Sequence, residues 1–494
     1  MYYVSTRDKL KKTTAAGAIA YGLAPGGGLY TPEAIPTLSK NALNTLKDMS
    51  YQNRVVYMMS MYLDTFTASE LAGFSSKAYG GGKFDDSGVA PVKDLGDGTY
   101  SLELWHGPTC AFKDLALQML PHLLTASLGK IGERKIACIL VATSGDTGKG
   151  ALEGFRDVSG TRILVFYPKD GVSAVQQLQM TTQEGSNVSV CAVEGNFDDA
   201  QAGVKRIFAD QELKDELERK GYFLSSANSI NWGRVLPQIV YYVSAYCDLL
   251  KEGKLTLGDK LNVCVPTGNF GNILAAYYAK RMGVPLGRLI CASNKNNVLT
   301  EFINTGVYDR DRPFYHTSSP SMDILVSSNL ERLLSELTYG DAPQVSAYME
   351  KLAQDGKYEV SAMVMKKLKM EFSAGCCDEE QTRATIKKMW DQRKYLIDPH
   401  TAVAMHVLDE YRARTGDATP TLVASTASPF KFGPVVLDAL GIKAPQGLES
   451  LAALERATGL TAPAPLSSLA GKEIRFTDDT TKEGMVDMVR GMLR

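Results

Sequence analysis

Short apolar runs alternate with amphipathic segments from residue 136 onward. The runs IACILVAT, TRILVFYP and NVSVCAV are each followed by a turn and a helix-like stretch such as DDAQAGVKRIFAD. A strand, a turn and a helix that recur about every 30 residues are typical of a parallel sheet with helices on its faces. A second series, which includes the apolar runs LNVCVPT and RLICASN, follows. The pattern therefore predicts an α/β protein with two sheet domains.

Two other parts of the chain have a different pattern. The first hundred residues combine glycine-rich turns with amphipathic helical stretches, which predicts a mainly helical N-terminal domain over 1–98. Residues 329–394 are polar on one side and are predicted to be a helical insert. We expect a small α/β domain over 131–224, and a large α/β domain formed by 99–130 together with 225–494.

Composition and charge narrow the classes of partner. There are 54 Lys and Arg against 55 Asp and Glu, so the net charge of −1 gives no field that would hold a nucleic acid or an anionic membrane. No apolar stretch reaches the roughly 18 residues of a membrane span, and the start MYYVSTRDKLKK lacks the apolar core of a secretory signal. The eight cysteines and five histidines show no metal-ligand spacing. We expect a cytoplasmic protein that binds a small molecule and no metal.

One lysine stands out in HGPTCAFKDLALQ, which spans His106–Gln118. Lys113 follows Phe112 and precedes the apolar stretch 115–117. An ammonium group against apolar side chains has its pKa lowered by desolvation, so this position predicts a reactive amine.

Three strand-to-helix turns are candidate ligand sites, because the carboxyl ends of the strands are where open α/β sheets bind ligands. GNFGN at 268–272 offers glycines and a helix N-terminus to a phosphate, or is an ordinary glycine-rich turn. SGDTG at 144–148 offers hydroxyls and amides to an anion, or is a helix cap, and its spacing is wrong for a nucleotide P-loop. In NSINWGR, Arg234 either binds a phosphate or is solvated.

Together these motifs resemble one family. HGPTCAFKD, SGDTG, NSINWGR and GNFGN, in this order and at these separations, are similar to those of threonine synthase of the longer type found in fungi and many bacteria. The stretches YVSTRD, GLAPGGGLYTPE, SPSMDI, SSNLERLL and STASPFKF extend the resemblance over nearly the whole chain. The resemblance implies the tryptophan-synthase-β-like fold, which is fold type II of the pyridoxal-phosphate enzymes, with the cofactor in the large domain.

The resemblance also implies a cofactor site. Pyridoxal 5'-phosphate would form a Schiff base with Lys113, and the hydroxyl of Thr426 would face its pyridine nitrogen. The cofactor phosphate would lie in the loop formed by Gly268, Asn269, Phe270, Gly271 and Asn272.

A substrate site is implied in the same way. Ser144, Asp146 and Thr147 would line the site of the substrate carboxylate, and Asn228, Ser229 and Arg234 that of its phosphate. Lys149 departs from the family pattern, so the resemblance gives it no role as a phosphate ligand.

The implied reaction converts O-phospho-L-homoserine and water to L-threonine and phosphate. We expect the protein to be a monomer or homodimer. The alternatives are another fold type II lyase, such as a threonine or serine dehydratase or a lyase of phosphorylated amino acids, and a non-catalytic phosphate- or nucleotide-binding module.

Overall fold

The structure is a computed structural model that describes residues 1–143 and 145–493. The strands of this part are β1 (Tyr2–Ser5), β2 (Lys12–Thr14), β3 (Tyr30–Pro32), β4 (Val92–Asp94), β5 (Thr99–Glu103), β6 (Ile136–Ala142), β7 (Thr161–Pro168), β8 (Val188–Val193), β9 (Tyr222–Ser225), β10 (Leu261–Pro266), β11 (Leu286–Ser293), β12 (Val307–Asp309), β13 (Lys357–Glu359), β14 (Phe372–Cys376), β15 (Thr421–Ser425) and β16 (Asp479–Thr480).

The helices of the same part are α1 (Ala15–Tyr21), α2 (Lys40–Leu46), α3 (Tyr51–Tyr62), α4 (Ala68–Tyr79), α5 (Asp114–Leu117), α6 (Leu120–Lys130), α7 (Asp146–Phe155), α8 (Ala174–Thr181), α9 (Phe197–Ala209), α10 (Gln211–Arg219), α11 (Trp232–Lys251), α12 (Gly271–Arg281), α13 (Val298–Thr305), α14 (Leu330–Leu337), α15 (Ala342–Asp355), α16 (Ala362–Glu371), α17 (Glu379–Arg393), α18 (Pro399–Thr415), α19 (Gly433–Ala439), α20 (Glu449–Thr458), α21 (Ala464–Ser467) and α22 (Met485–Met492). Short 3-10 turns span Pro320–Met322, Pro429–Phe432 and Ser468–Gly471. None of the helices described is both long and apolar enough to cross a membrane.

Two sheets carry the α/β architecture. The larger has the order β14-β11-β10-β15-β5-β4 and is parallel except for β4, which pairs antiparallel with β5. The smaller has the order β16-β8-β7-β6-β9 and is parallel throughout. Their central strands are continuous apolar runs because helices cover both faces of a parallel sheet. The predicted α/β fold with two parallel-type sheets is confirmed.

The predicted division of the chain needs two corrections. The helical insert expected over 329–394 contains β14, which pairs in parallel with β11 at the edge of the larger sheet. The segment from β16 to α22, expected with the large domain, adds a strand to the smaller sheet beside β8. The N-terminal part, for which the sequence predicts mainly helices, contains α1 to α4 together with a three-stranded antiparallel sheet, β2-β1-β3. The remaining boundaries stay predictions.

Helix α11 joins the N-terminal part to the larger sheet. Nearly all of its side chains are buried, and the ring of Trp232 packs against Tyr3, Tyr62 and Tyr278 at centroid distances of 5.5–5.7 Å. Asn231 caps the helix through a hydrogen bond from the Gly233 N–H to its Oδ1 (2.8 Å). This cap fixes where the helix begins and so places its first turn.

Candidate active site

A cleft of about 2220 Å³ lies at the carboxyl ends of strands from both sheets. It is lined by the sequence-predicted residues that the structure describes, which are Lys113, Asp146, Thr147, Asn228, Ser229, Arg234, Gly268, Asn269, Phe270, Gly271, Asn272 and Thr426. Ser144 lies outside the described residues. Because the carboxyl ends of the parallel strands lie at the same edge of each sheet, motifs more than 300 residues apart in the sequence meet in one cleft.

The turn before α5 presents Lys113. The buried carboxyl group of Asp114 accepts hydrogen bonds from the N–H (2.8 Å) and hydroxyl (2.7 Å) of Thr109, which closes the turn. Cys110 inside it has a left-handed backbone with φ of 56°. The N–H of Phe112 donates to the carbonyl of Thr426 (2.8 Å), and this bond ties the turn to the end of β15.

Lys113 is buried, and its side chain is only 11% exposed. Its Nζ lies 4.6 Å from the centroid of the Phe112 ring and donates to the hydroxyl of Ser321 (3.3 Å). Burial lowers the pKa of this lysine; Asp146 opposes that shift, and the nearby cations Lys431 and Arg234 add to it. The amine is therefore uncharged more often than an ordinary lysine, as the sequence predicted.

Asp146 is the carboxylate closest to that amine, but its main partner is another lysine. Its Oδ1 accepts from Lys431 Nζ (2.7 Å) and Gln176 Nε2 (3.0 Å), while its Oδ2 lies 3.7 Å from Lys113 Nζ. Burial raises the pKa of this carboxyl, but Lys431 and Lys113 outweigh that effect and bring it below its ordinary value. Asp146 is thus a fully ionised group that is neutralised mainly by Lys431.

The loop between β10 and α12 has the backbone features of an anion-binding turn. Phe270 has a left-handed backbone with φ of 62°, and at Gly268 a Cβ atom would lie 2.4 Å from the Ser321 carbonyl oxygen. The tight path lets the backbone approach a ligand closely, and the first N–H groups of α12 have no acceptor within the helix.

Asn272 adds a side-chain donor to this loop. Its Oδ1 accepts hydrogen bonds from the hydroxyls of Tyr241 (2.6 Å) and Tyr242 (2.5 Å), whose pKa values burial raises well above the ordinary value, so both stay protonated. These bonds fix the orientation of the amide. Its Nδ2 is buried without a partner, and a buried donor without a partner is typical of a position that a ligand completes.

Arg234, in the first turn of α11, is the most unusual charge in the cleft. The residue is 3% exposed, one Nη donates to the carbonyl of Ala227 (2.8 Å), and its Nε has no partner among the described residues. No carboxylate in the described part of the chain forms an ion pair with it, and burial lowers its pKa to about 10. A buried guanidinium without a carboxylate is costly in free energy, which an anionic ligand would offset.

The remaining predicted residues have weaker contacts. Asn228 is exposed, and Ser229 lies beside it with its hydroxyl 3.5 Å from that of Ser328. Thr147 lies in the first turn of α7 at the cleft wall. Lys149 is paired with Glu153 (3.2 Å) and hydrogen bonds Gln183, so its ammonium is already neutralised.

Three functional candidates were missed by sequence reasoning: Lys431, Ser321 and His400. The Nε2 of His400 accepts from the Ser321 N–H (3.2 Å), so its proton is on Nδ1, which lies 2.6 Å from the buried carboxylate of Asp398. Ser321 in turn lies against Lys113. Ser321 and Lys431 stand in SPSMDI and STASPFKF, two stretches that carry the resemblance, but no local pattern marks either residue as part of a site.

Three family profiles match the sequence. They are "Threonine synthase N terminus" over residues 2–79, "Pyridoxal-phosphate dependent enzyme" over 91–426 and "Threonine synthase, C-terminal" over 401–483. Threonine synthase of Schizosaccharomyces pombe is 37% identical over 463 residues, with 88% of each chain covered. The chain belongs to the threonine synthase family.

Other members agree in sequence and in structure. The crystal structure of the PLP-bound threonine synthase from Brucella melitensis is 37% identical and superposes with a TM-score of 0.89 over the whole of both chains. Human threonine synthase-like 1 is 41% identical over 462 residues, or 89% of this chain. The chain spans about three-fifths of that relative's length (61%). The fold type II assignment made from the resemblance is confirmed.

The profile of pyridoxal-phosphate dependent enzymes covers 91–426, and the cleft fits that cofactor. The unpartnered Nδ2 of Asn272 and the N–H groups at the start of α12 suit its phosphate, and the amine of Lys113 suits its aldehyde. Thr426, 5% exposed, brings a hydroxyl to the same cleft.

Proposed function

We propose that this member of the family is a threonine synthase that converts O-phospho-L-homoserine and water to L-threonine and phosphate. The observation that carries the proposal is the buried guanidinium of Arg234, which lies in the cleft that also holds Lys113 and has no carboxylate partner among the described residues. A second anion site beside the cofactor loop is what a phosphorylated substrate requires, and a dehydratase of a free hydroxy-amino acid does not require one.

Proton transfer and phosphate binding are assigned to different residues of the cleft. When bound, pyridoxal phosphate supplies an electron-withdrawing ring that stabilises negative charge on carbon. The uncharged amine of Lys113 takes the proton from Cα, passes it on to the bound cofactor, and is then free to take one from Cβ. After phosphate has left from Cγ, the ammonium group returns a proton at Cγ, water adds at Cβ, and a proton returned at Cα completes threonine. Arg234, with Asn228 and Ser229, holds the phosphate before and after it leaves from Cγ.

The substrate carboxylate needs a different environment. We assign this carboxylate to Thr147 and the first N–H groups of α7, because a helix N-terminus favours an anion, and to Ser144 on the sequence prediction alone. Asp146 is itself anionic, so we assign it a positioning role: paired with Lys431, it adds no net negative charge and helps to orient Lys113.

The decisive experiment incubates the holoenzyme with O-phospho-L-homoserine and separates threonine from 2-oxobutanoate. We expect threonine and phosphate in equal amounts. Lys113→Ala should abolish both the visible absorbance of the bound cofactor and turnover, and threonine formed by this variant would contradict the assignment.

Arg234→Gln tests the phosphate site separately. We expect the KM for O-phospho-L-homoserine to rise at least about tenfold while cofactor affinity changes little, because a charge-assisted hydrogen bond contributes about 1.5–3 kcal/mol. Arg234→Lys, which keeps the charge and loses the planar fork, should be intermediate. Equal loss of substrate and cofactor binding would show that the arginine is misassigned.

Another lyase of phosphorylated amino acids is the second candidate. One similar protein is human threonine synthase-like 1, whose name differs from that of the synthases, and this similarity favours the second candidate. Release of phosphate with 2-oxobutanoate in place of threonine would support it. A cytoplasmic location and a monomer or homodimer stay predictions of the sequence.

A further inference from the structure

Asn329 and Arg332 are fully buried polar residues at the start of α14, where three parts of the protein meet. Asn329 precedes the helix, and Arg332 lies in its first turn. Neither lines the cleft directly, and no role in the reaction proposed above uses them.

Asn329 bonds both segments to which phosphate binding is assigned. Its backbone N–H (3.1 Å) and its Nδ2 (3.0 Å) donate to the carbonyl of Asn269 in the cofactor loop. The same Nδ2 donates to the carbonyl of Ser229 in the substrate segment (3.3 Å). One amide group therefore spans the gap between the two loops.

Arg332 holds this amide in place. It donates through Nη1 to Oδ1 of Asn329 (2.5 Å), through Nη2 to the carbonyl of Ile230 (2.6 Å) and through Nε to the carbonyl of Tyr30 (2.9 Å). Its guanidinium carbon lies 6.0 Å from the centroid of the Trp232 ring. Because its planar fork reaches three different segments, a lysine could not make the same set of bonds.

We propose that Asn329 is a positioning residue that sets the spacing between the cofactor loop at 268–272 and the substrate segment at 228–234, with Arg332 as its support. The proposal rests on the function proposed above. It implies that a change at Asn329 weakens the binding of the cofactor phosphate and of the substrate phosphate together, although Asn329 touches neither group.

Asn329→Asp is the sharpest test, because it keeps the size of the side chain and offers Arg332 an acceptor while removing both Nδ2 bonds. We expect the dissociation constant of pyridoxal phosphate and the inhibition constant of inorganic phosphate each to rise about tenfold, since two buried carbonyls lose a donor. We expect kcat at saturating substrate and cofactor to change less than about threefold, because the reacting groups are untouched. Arg332→Lys should give the same paired rise.

Thr338→Val is the matched control. It removes a buried hydroxyl that bonds only the Leu334 and Ser335 carbonyls at the end of the same helix, so both constants should stay at the wild-type values. Unchanged constants in Asn329→Asp, or a rise in only one of them, would overturn the proposal. Failure of the proposed function would show differently, as a wild-type enzyme that forms no threonine.

Discussion

Lys431 keeps Asp146 from holding Lys113 as an ammonium ion, and this can be tested by Lys431→Met. Lys431 Nζ lies 2.7 Å from Asp146 Oδ1, whereas Lys113 Nζ lies 3.7 Å from Oδ2. Without the Lys431 charge, the ammonium form of Lys113 gains the whole attraction of the carboxylate and loses a repulsion. Both changes raise the pKa of Lys113.

The distances give the size of the effect. Two unit charges 3.7 Å apart attract by about 4.5 kcal/mol at an effective dielectric constant of about 20, which corresponds to about three pKa units. Part of this attraction acts on Lys113 already, so we expect a rise of at least about one unit. A rise of that size lowers the fraction of uncharged amine about tenfold below the pKa.

The assay follows the visible absorbance that forms when pyridoxal phosphate is mixed with cofactor-free protein at a series of pH values. Its rate reports the uncharged fraction of Lys113, so the pH profile of Lys431→Met should shift to higher pH. Lys149→Met is the matched control, because Lys149 is a buried lysine paired with Glu153 instead of Asp146. An unshifted profile in a folded Lys431→Met protein would refute the reasoning.

Three further predictions follow from single contacts. The imidazole of His106 lies between the carboxylates of Asp85 and Glu103. Burial lowers its pKa, but the two carboxylates outweigh burial and raise the pKa from 6.5 to about 9. The charged imidazole therefore stabilises the fold fully below about pH 6.5, and this contribution is lost as the pH rises through 9. The Tm of wild type should therefore fall over this window relative to His106→Gln, and parallel curves would contradict this. His400→Asn leaves the N–H of Ser321 unpaired, so steady-state phosphate release should show kcat lower by about tenfold and KM nearly unchanged; a change confined to KM would argue against it. Gly268→Ala sets a Cβ against the Ser321 carbonyl, so cofactor titration should show affinity reduced by about tenfold, and wild-type affinity would mean that the loop has room.

The sequence predicted those parts of the fold that are coded locally. TRILVFYP is β7 and LNVCVP is β10, because continuous apolar runs between turn residues favour buried parallel strands. β14 was missed because FSAGC is short, contains three small residues (Ser373, Ala374 and Gly375) and lies between helices, so its pairing with β11 depends on contacts far along the chain. The two-residue β16 was missed for the same reason.

The residues of the candidate site also fall into two groups, those with a local signal in the sequence and those without one. Lys113, GNFGN and Arg234 lie in motifs whose local pattern already suggests a ligand, and the structure brings them into one cleft. Lys431 gives no such local signal, because its importance comes from Asp146, a residue 285 positions away in the sequence. Partners of this kind can be found only once the fold has brought them together.

The position of β16 and α22 near the end of the sequence affects how the smaller sheet folds during synthesis. The N–H of Ala192 donates to the carbonyl of Asp478, and that of Glu194 to the carbonyl of Thr480, so β16 covers the outer edge of β8. During synthesis on the ribosome, β8 emerges long before its cover. Until residues 479–492 follow, the nascent smaller sheet exposes an apolar edge strand that can pair with other chains. During this interval we expect the nascent chain to be prone to aggregation through the exposed edge of β8.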